Sequence, residues 1–228
     1  MVGSVPLYKS HIIVSTRTDC TEWPEFVEKS HPLVKDLMEI TKGVQGDNVD
    51  KSSCFPIKIT LGTFSEQEND LLIFRQQARW AFKYPSLNSP NQLDLIKNYL
   101  FCSEESRVQI ENDHFIREQV PWIFTCAHTR RDVRCGQCGP AIIDELQRLS
   151  QQSEWKGKFK IGSTSHIGGH KFAGNIIIYP TGDWYGLLNQ NNIQEVIRMY
   201  FNGDITNLHW RGQMALTPEQ QKLLKTTT

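Results

Sequence analysis

Two pairs of potential metal ligands constrain this chain more than any other feature of its sequence. Eight residues separate Cys126 from Cys135, three separate His166 from His170, and thirty lie between the pairs. Each pair occupies a loop next to a predicted strand, so the fold has to bring two loops together. Two thiolates and two imidazoles suit a single tetrahedral zinc ion, or a [2Fe–2S] cluster with Cys on one iron and His on the other.

Spacing within the pairs favours the cluster only modestly. Structural zinc sites usually place about two to four residues between paired ligands, which fits the histidines but not Cys126 and Cys135. A wider cysteine loop suits a group larger than one ion. The histidine segment, SHIGGHKFAGN, is a poor helix with two adjacent glycines, so it predicts a tight loop. Taken alone, such a His pair is more often an ordinary surface pair than a ligand pair.

A CxxC motif, Cys135 to Cys138, gives Cys135 a competing role. The sequence predicts a helix that begins at Pro140, directly after the motif, where a thioredoxin-like dithiol would lie and the helix N-terminus would lower the thiol pKa. The nearby arginines also favour thiolate over thiol, which suits metal ligation or nucleophilic chemistry. The alternatives to an electron carrier are therefore a thiol–disulfide oxidoreductase using Cys135 and Cys138, or a zinc-stabilised interaction module.

Composition excludes several classes of partner. The 25 basic residues of this 228-residue chain balance 25 acidic ones, so no global field attracts nucleic acid or anionic lipid, and neither is predicted as a partner. No apolar run approaches the roughly 18 to 20 residues of a membrane span. The N-terminus has the pattern of neither a cleavable signal nor an Arg-rich presequence. We therefore expect a cytoplasmic location, with a mitochondrial one as the alternative.

Cysteine usage points to metal or redox chemistry rather than to disulfides. Without a signal peptide, six cysteines in a chain of this length do not indicate a disulfide scaffold, and three of them lie within thirteen residues. The six are Cys20, Cys54, Cys102, Cys126, Cys135 and Cys138.

Hydrophobic periodicity and turn residues predict a similar order of elements in the two halves of the chain. The first half has predicted strands at 11–16, 55–61 and 71–74, a helix over 24–42 with a break near Ser30, and a helix opened by Ser89 and Pro90. A polar stretch without clear period, 103–119, is the predicted boundary between domains of residues 1–118 and 119–228. The second half has predicted strands at 120–126, 159–164, 175–179 and 184–188, helices from Pro140 and over 192–201, and a terminal surface helix.

This β-α-β-β-α order is that of a thioredoxin-like unit, with helices on the faces of a mixed sheet. We therefore predict an α/β protein made of two thioredoxin-like halves in tandem, although the sequence shows no internal repeat. The loop from Arg130 to Arg134 is predicted either to dock an acidic redox partner or to have a structural role. Within the segment from Trp210 to Met214, residues 210–212 are predicted either to cover the cluster or to form part of a partner surface.

Four segments resemble the sucrase/ferredoxin-like family of thioredoxin-like ferredoxins: CAHTRRDVRCGQCGP, SHIGGHKFAGNIIIYP, the WYG at 184–186 and the WRGQM at 210–214. The resemblance covers essentially the whole chain and is closest from 124 to 214. It implies a C-terminal [2Fe–2S] ferredoxin domain whose cluster is held by Cys126, Cys135, His166 and His170. It further implies that the cysteines bind one iron and the histidines the other, as in Rieske centres. It does not make Cys138 a ligand.

The implied function is electron transfer with a protein redox partner. A histidine bound to iron through one ring nitrogen keeps an N–H on the other, which couples uptake of one electron to uptake of a proton. No enzymatic reaction and no catalytic residue is predicted. In particular, no carboxylate pair supports the sugar hydrolysis that the family name suggests.

Overall fold

The computed structural model describes residues 1–43, 56–76, 81–85, 87 and 89–227. The strands in these ranges are β1 (Ser10–Ser15), β2 (Ile57–Thr63), β3 (Leu71–Arg75), β4 (Ala81–Tyr84), β5 (Ile116–Glu118), β6 (Trp122–Cys126), β7 (Lys160–Thr164), β8 (Ile176–Tyr179), β9 (Asp183–Tyr185) and β10 (Trp210–Gln213). The α-helices are α1 (Val27–Ser30), α2 (Pro32–Gly43), α3 (Pro90–Phe101), α4 (Glu104–His114), α5 (Val133–Ser150), α6 (Ile193–Phe201) and α7 (Pro218–Thr227), and a 3₁₀ turn spans His170–Phe172. No helix within the described ranges has the length and apolar character needed to cross a membrane.

One mixed sheet contains both halves of the chain, and the halves share a strand order. Its order is β10-β9-β8-β6-β7-β2-β1-β3-β4-β5. In each half the first strand pairs in parallel with the second and antiparallel with the third, as β1 does with β2 and β3, and β6 with β7 and β8. The predicted α/β fold with two thioredoxin-like halves is thus confirmed. The predicted domain boundary falls in the link from β5 to β6 and stays a prediction.

The two halves meet edge to edge through β2 and β7. These strands pair antiparallel, with Gly62 opposite Thr164. A Cβ on Gly62 would lie 2.6 Å from the Ser163 carbonyl oxygen, so glycine is what lets the edges approach. Beyond the ladder, Ser165 accepts a hydrogen bond from Leu61 N–H at 3.0 Å and donates its own N–H to the Leu61 carbonyl at 2.7 Å. The strand that leads into His166 is therefore braced by the N-terminal half.

A shared aromatic core joins the halves on one face of the sheet. It contains Val5, Tyr8, Ile13, Leu72 and Phe74 from the first half and Trp122, Phe124, Tyr179 and Trp184 from the second. Buried polar groups within it bond across the halves: His11 Nδ1 lies 2.6 Å from the Tyr179 hydroxyl, and Trp184 Nε1 donates to the Tyr8 hydroxyl at 2.7 Å. Burial lowers the pKa of His11 well below its usual value, so this imidazole is neutral at pH 7.

Several elements differ from the sequence prediction. The polar stretch 103–119 is mostly α4 and β5, and β4 and β10 were not predicted. Helix α4 has no apolar stripe and is stabilised instead by capping and by an ion pair. Ser103 accepts a hydrogen bond from Ser106 N–H, and the buried Glu111 carboxylate lies 2.7 Å from the Arg75 guanidinium. Periodicity cannot detect such a helix. The predicted break near Ser30 is confirmed, since α1 ends there and α2 begins at Pro32.

The predicted start of a helix at Pro140 is wrong, because α5 begins at Val133. Asp132 is the N-cap, and its carboxylate accepts from the Arg134 N–H at 3.0 Å. The first two turns then pack tightly, since a Cβ on Gly136 would lie 2.5 Å from Thr129 Oγ1. That early cap and packing outweigh the interior proline, which only removes the hydrogen bond to the carbonyl four residues back. Cys135 and Cys138 consequently lie inside the helix.

Candidate metal centre

Cys126 is the last residue of β6, a strand buried along its whole length. Its backbone N–H donates to the Asn175 carbonyl at 3.0 Å. In the parallel register of β6 and β7, Cys126 lies level with Thr164. Because parallel strands end at the same edge of a sheet, the loop that follows β7 begins beside Cys126. This register explains why a cysteine and a histidine forty residues apart meet.

Cys135 reaches Cys126 because α5 lies unusually close to the end of β6. A Cβ on Gly139 would be 2.6 Å from the Cys126 carbonyl oxygen and 2.8 Å from the Cα-bound methyl of Ala127. The absence of a side chain there lets the first turns of the helix touch the strand. Cys135 is fully buried and faces the same aromatic core as Cys126.

Three of the four predicted ligands converge. One ligand atom each from Cys126, Cys135 and His166 lies within 4.8 Å of the other two, and His166 Nδ1 is 3.8 Å from Cys135 Sγ. The cysteine thiols are coupled through a hydrogen bond from Cys135 to Cys126. That bond, helped by His166, holds the pKa of Cys126 well below its usual range, and the same bond with burial raises the pKa of Cys135.

His170 is beside this group but is not one of the three. It opens the 3₁₀ turn, and its ring is nearly parallel to that of His166 with 6.1 Å between the centroids. Its Nδ1 lies 3.8 Å from an Asp132 oxygen, and its side chain is 53% exposed. The backbone between the histidines turns through two left-handed residues, Gly168 at φ +90° and Gly169 at φ +73°, so the predicted tight loop is confirmed. Ligation by His170 stays a prediction.

His128 is a contributor that sequence reasoning missed. It is buried, and its Nε2 lies 2.9 Å from the Pro24 carbonyl oxygen, so this nitrogen carries the proton. Its Nδ1 then accepts the backbone N–H of His166 at 3.2 Å. Burial lowers the pKa of His128, which keeps it neutral and able to accept. The sequence signal for His128 was its position two residues after Cys126, at the end of a strand. Its hydrogen bond to the Pro24 carbonyl could not be predicted, because nothing in the neighbouring sequence indicates that pairing.

Two cations flank the histidine loop. Lys58 Nζ donates to the Ile167 carbonyl at 3.2 Å. The Arg211 guanidinium is buried and lies so close to Gly169 that a Cβ there would be 2.6 Å from its Nη1. Trp210 is buried too, and its indole donates to Asp183 Oδ1 at 2.9 Å. The buried Trp210 and Arg211 therefore do not form a partner surface, and Arg211 packs against the loop instead.

The two cysteines of the CxxC motif pack against different hydrophobic cores, and two arginines of the loop have contacts within the protein. Cys138 is half-buried and packs into the core between α5 and α6, whereas Cys135 belongs to the aromatic core. Arg134 donates to both Asp132 oxygens, at 3.0 and 2.9 Å, and the Arg131 guanidinium lies 4.4 Å from the Phe26 ring centroid. The arginine loop thus has a structural part. The five cysteines that the structure describes are free, and Cys54 lies outside the described residues.

Similar proteins share parts of this chain. A Candida glabrata protein named "Altered inheritance of mitochondria protein 32" is 34% identical over 106 residues, 42% of this chain and 33% of that protein. The protein of the same name from Kluyveromyces lactis is 22% identical over 93% of this chain and 77% of its own length. The match thus spans only about a third of the Candida glabrata relative.

Among solved structures, the thioredoxin-like [2Fe-2S] ferredoxin from Aquifex aeolicus is similar at a TM-score of 0.33, with 16% identity over 37% of this chain and 88% of that one. The model of the family described as "Sucrase/ferredoxin-like" matches residues 1–212. The match takes in both halves of the sheet and all four predicted ligands. This chain therefore belongs to the sucrase/ferredoxin-like family.

Proposed function

We propose that this chain is an electron-transfer protein that carries a [2Fe–2S] cluster bound by Cys126, Cys135, His166 and His170. The convergence of Cys126, Cys135 and His166 within 4.8 Å is the observation that carries the proposal. Thiolate and imidazole are the donors that such a cluster takes, and the three converging residues offer both kinds. His170 supplies the fourth donor from a loop that begins at the same strand edge.

The bound cluster would accept and release single electrons, and the protein would supply the site and the protons. The cysteines are buried while the histidine side of the site faces solvent. A Cβ on Gly168 would have no atom within 4 Å, and a cavity of about 210 Å³ reaches His166 and His128. Protons can therefore exchange between water and a histidine ring nitrogen that does not bind iron. Electron uptake and proton uptake are thereby coupled.

The dithiol alternative receives less support from the geometry. Cys135 forms a hydrogen bond with Cys126 and approaches His166, whereas Cys138 packs against a different hydrophobic core. A zinc site would use the same ligands as the cluster, so spectroscopy has to separate the two. Purified protein that is red-brown, absorbs in the visible and shows a rhombic EPR signal on reduction supports the cluster. Colourless protein with bound zinc, or with a titratable Cys135–Cys138 dithiol, contradicts it.

Ligand substitutions test the assignment residue by residue. Cys126→Ser and Cys135→Ser should abolish the visible spectrum, because an alkoxide is a poor substitute for thiolate on iron. His166→Cys and His170→Cys should keep a cluster with an altered spectrum and a lowered potential. Cys138→Ser is the matched control and should leave the spectrum intact. Bleaching by Cys138→Ser but not by Cys126→Ser would refute the assignment.

Proton coupling makes the midpoint potential depend on pH. The potential should lie above that of all-Cys plant-type ferredoxins and fall with rising pH, by up to about 59 mV per unit for one proton per electron. Voltammetry between about pH 5 and pH 10 measures the slope. A flat potential would mean that His166 and His170 do not exchange protons with water or do not bind iron.

The partner in electron transfer is a second protein, and Arg130 is our candidate contact. Among the described residues its side chain has no hydrogen bond or ion pair, unlike that of Arg134, and it is exposed in the loop between Cys126 and Cys135. An acidic donor or acceptor would complement it. We propose a cytoplasmic or mitochondrial location for this exchange.

A further inference from the structure

Arg211 is a buried cation that has no acidic partner among the described residues. The residue is 1% exposed. The guanidinium donates to Asn175 Oδ1 at 2.7 Å, and to the hydroxyl and carbonyl oxygens of Ser4 at 3.1 and 3.2 Å. It also lies over the rings of Phe172 and Trp184, at 4.8 and 5.2 Å from their centroids. None of the ion pairs within the described ranges includes it.

Lys58 is a second cation that lacks an acidic partner among the described residues. The residue is half-buried, but its ammonium group points inward, 5.5 Å from the Trp184 ring centroid and 5.7 Å from that of Tyr8. Both rings are buried. Its hydrogen-bond acceptor is the neutral carbonyl of Ile167, and no carboxylate of the described chain pairs with it. The two cations thus share the Trp184 indole.

Each cation contacts the residue next to a predicted ligand. Lys58 bonds to Ile167, which follows His166, and Arg211 packs against Gly169, which precedes His170. Asn175 stabilises the contact between Arg211 and Gly169, because it accepts a hydrogen bond from Arg211 and donates one to the Gly169 carbonyl at 3.1 Å. Both positive charges are therefore held on the protein side of the histidine loop.

Burying a cation without a counter-charge is unfavourable, so a fold that keeps two of them needs a negative charge nearby. Burial lowers the pKa of Lys58 to about 8 and that of Arg211 to about 10. Both cations contact the histidine loop beside His166 and His170, so the group that can supply this negative charge is the metal site itself.

We propose that Arg211 and Lys58 are the fixed counter-charges of the metal site and that they raise its midpoint potential by stabilising the reduced state. This inference rests on the proposed function. One electron from a protein donor adds one negative charge to the site, and two positive charges held in a medium of low dielectric constant favour that addition. No proton transfer or bond change at either cation is involved.

The test compares neutral with charge-conserving variants in the cluster-loaded protein. Arg211→Met and Lys58→Met remove the charge, and Arg211→Lys and Lys58→Arg retain it. Lys171→Met is the matched control, because Lys171 is an exposed cation next to His170 and is screened by solvent. Cluster content is measured from iron and visible absorption, and the midpoint potential is measured by spectroelectrochemical titration at pH 7 and at low and high salt.

Each neutral variant should shift the reduction equilibrium about tenfold towards the oxidised form, which is about 59 mV for one electron. The charge-conserving variants should shift it much less, and the Lys171→Met shift should be small and vanish at high salt. Wild-type potentials in both neutral variants, or equal shifts from Arg211→Met and Arg211→Lys, would overturn the inference. If Arg211→Met does not fold, the two Lys58 variants decide. A wild-type protein that never binds a cluster would refute the proposed function instead.

Discussion

The adjacent glycines of the histidine loop provide a matched pair of substitutions. Both lie in the left-handed region, Gly168 at φ +90° and Gly169 at φ +73°, so alanine at either position strains the backbone. They differ in the space around them. A Cβ on Gly168 would meet no atom within 4 Å, whereas a Cβ on Gly169 would lie 2.6 Å from Arg211 Nη1.

This difference sets the expected loss of stability. Gly168→Ala should lower the free energy of unfolding by about 1–2 kcal/mol, which is the cost of left-handed backbone for a residue with a Cβ. Gly169→Ala adds the displacement of Arg211, which three hydrogen bonds to Ser4 and Asn175 hold in place. Losing at least one bond from a charged donor costs about 1.5–3 kcal/mol more. The total for Gly169→Ala is therefore about 2.5–5 kcal/mol.

Urea unfolding of the metal-free protein, followed by far-UV circular dichroism, measures both values without any dependence on the cluster. The dependence of the unfolding free energy on urea should be unchanged, so that the midpoints report stability. A double-mutant cycle of Gly169→Ala with Arg211→Met should show a coupling energy of about 1.5–3 kcal/mol. The corresponding cycle of Gly168→Ala with Arg211→Met should show almost no coupling. Equal losses for the two glycines would refute the close contact between Gly169 and Arg211.

Three further predictions concern charge. The pKa of the neutral, buried His11 is lowered by burial and by nearby Lys58, so the free energy of unfolding should fall as pH drops below about 6.5, where the unfolded imidazole gains a proton; His11→Gln should flatten that slope in urea titrations. Hydrogen bonds from Arg134 hold the pKa of Asp132 at about 2, so its stabilising contribution should be lost as pH falls from about 4 towards 2; thermal unfolding of Asp132→Asn, which keeps a capping side chain, should lack that loss. Arg130→Glu should slow reduction by an acidic donor protein in stopped-flow experiments at low salt and have little effect at high salt, and unchanged rates at low salt would exclude docking through Arg130.

The strands and the loop at the site were predictable because their signals are local. Cys126 ends an apolar run, and the two glycines between the histidines exclude a helix, so neighbouring residues alone place both features at strand ends. The start of α5 was missed because a proline is the stronger local signal, whereas Asp132 can act as a cap only if Gly136 packs on Thr129 and Gly139 packs on Cys126 and Ala127. That packing depends on tertiary structure.

The cations around the site could not be predicted from the sequence. Lys58 lies in an alternating strand pattern and Arg211 in a polar segment near the end of the chain, and both residue types are usually exposed. Their partners are distant in the sequence: Lys58 and Ile167 are 109 positions apart, and Arg211 and Ser4 are 207 positions apart. Nothing in a local window distinguishes such a residue from a solvated one, so its burial is set by the fold alone.

In the part of the chain that the structure describes, the matching strand order of the halves helps to explain why the candidate ligand group lies in one half and has no counterpart in the other. In the N-terminal half, β1 takes the place of β6, so Ser15 corresponds to Cys126 at the end of the central strand. Ser15 is already committed to structure, because its hydroxyl donates to the Gln67 carbonyl and accepts the Asp70 N–H at 3.0 Å. A serine with both functions satisfied closes that strand end instead of offering a ligand. The same half supplies Lys58 to the other site and the Pro24 carbonyl that orients His128. In the described structure, the N-terminal half thus supports the candidate ligand site of the C-terminal half and places the Lys58 cation beside it.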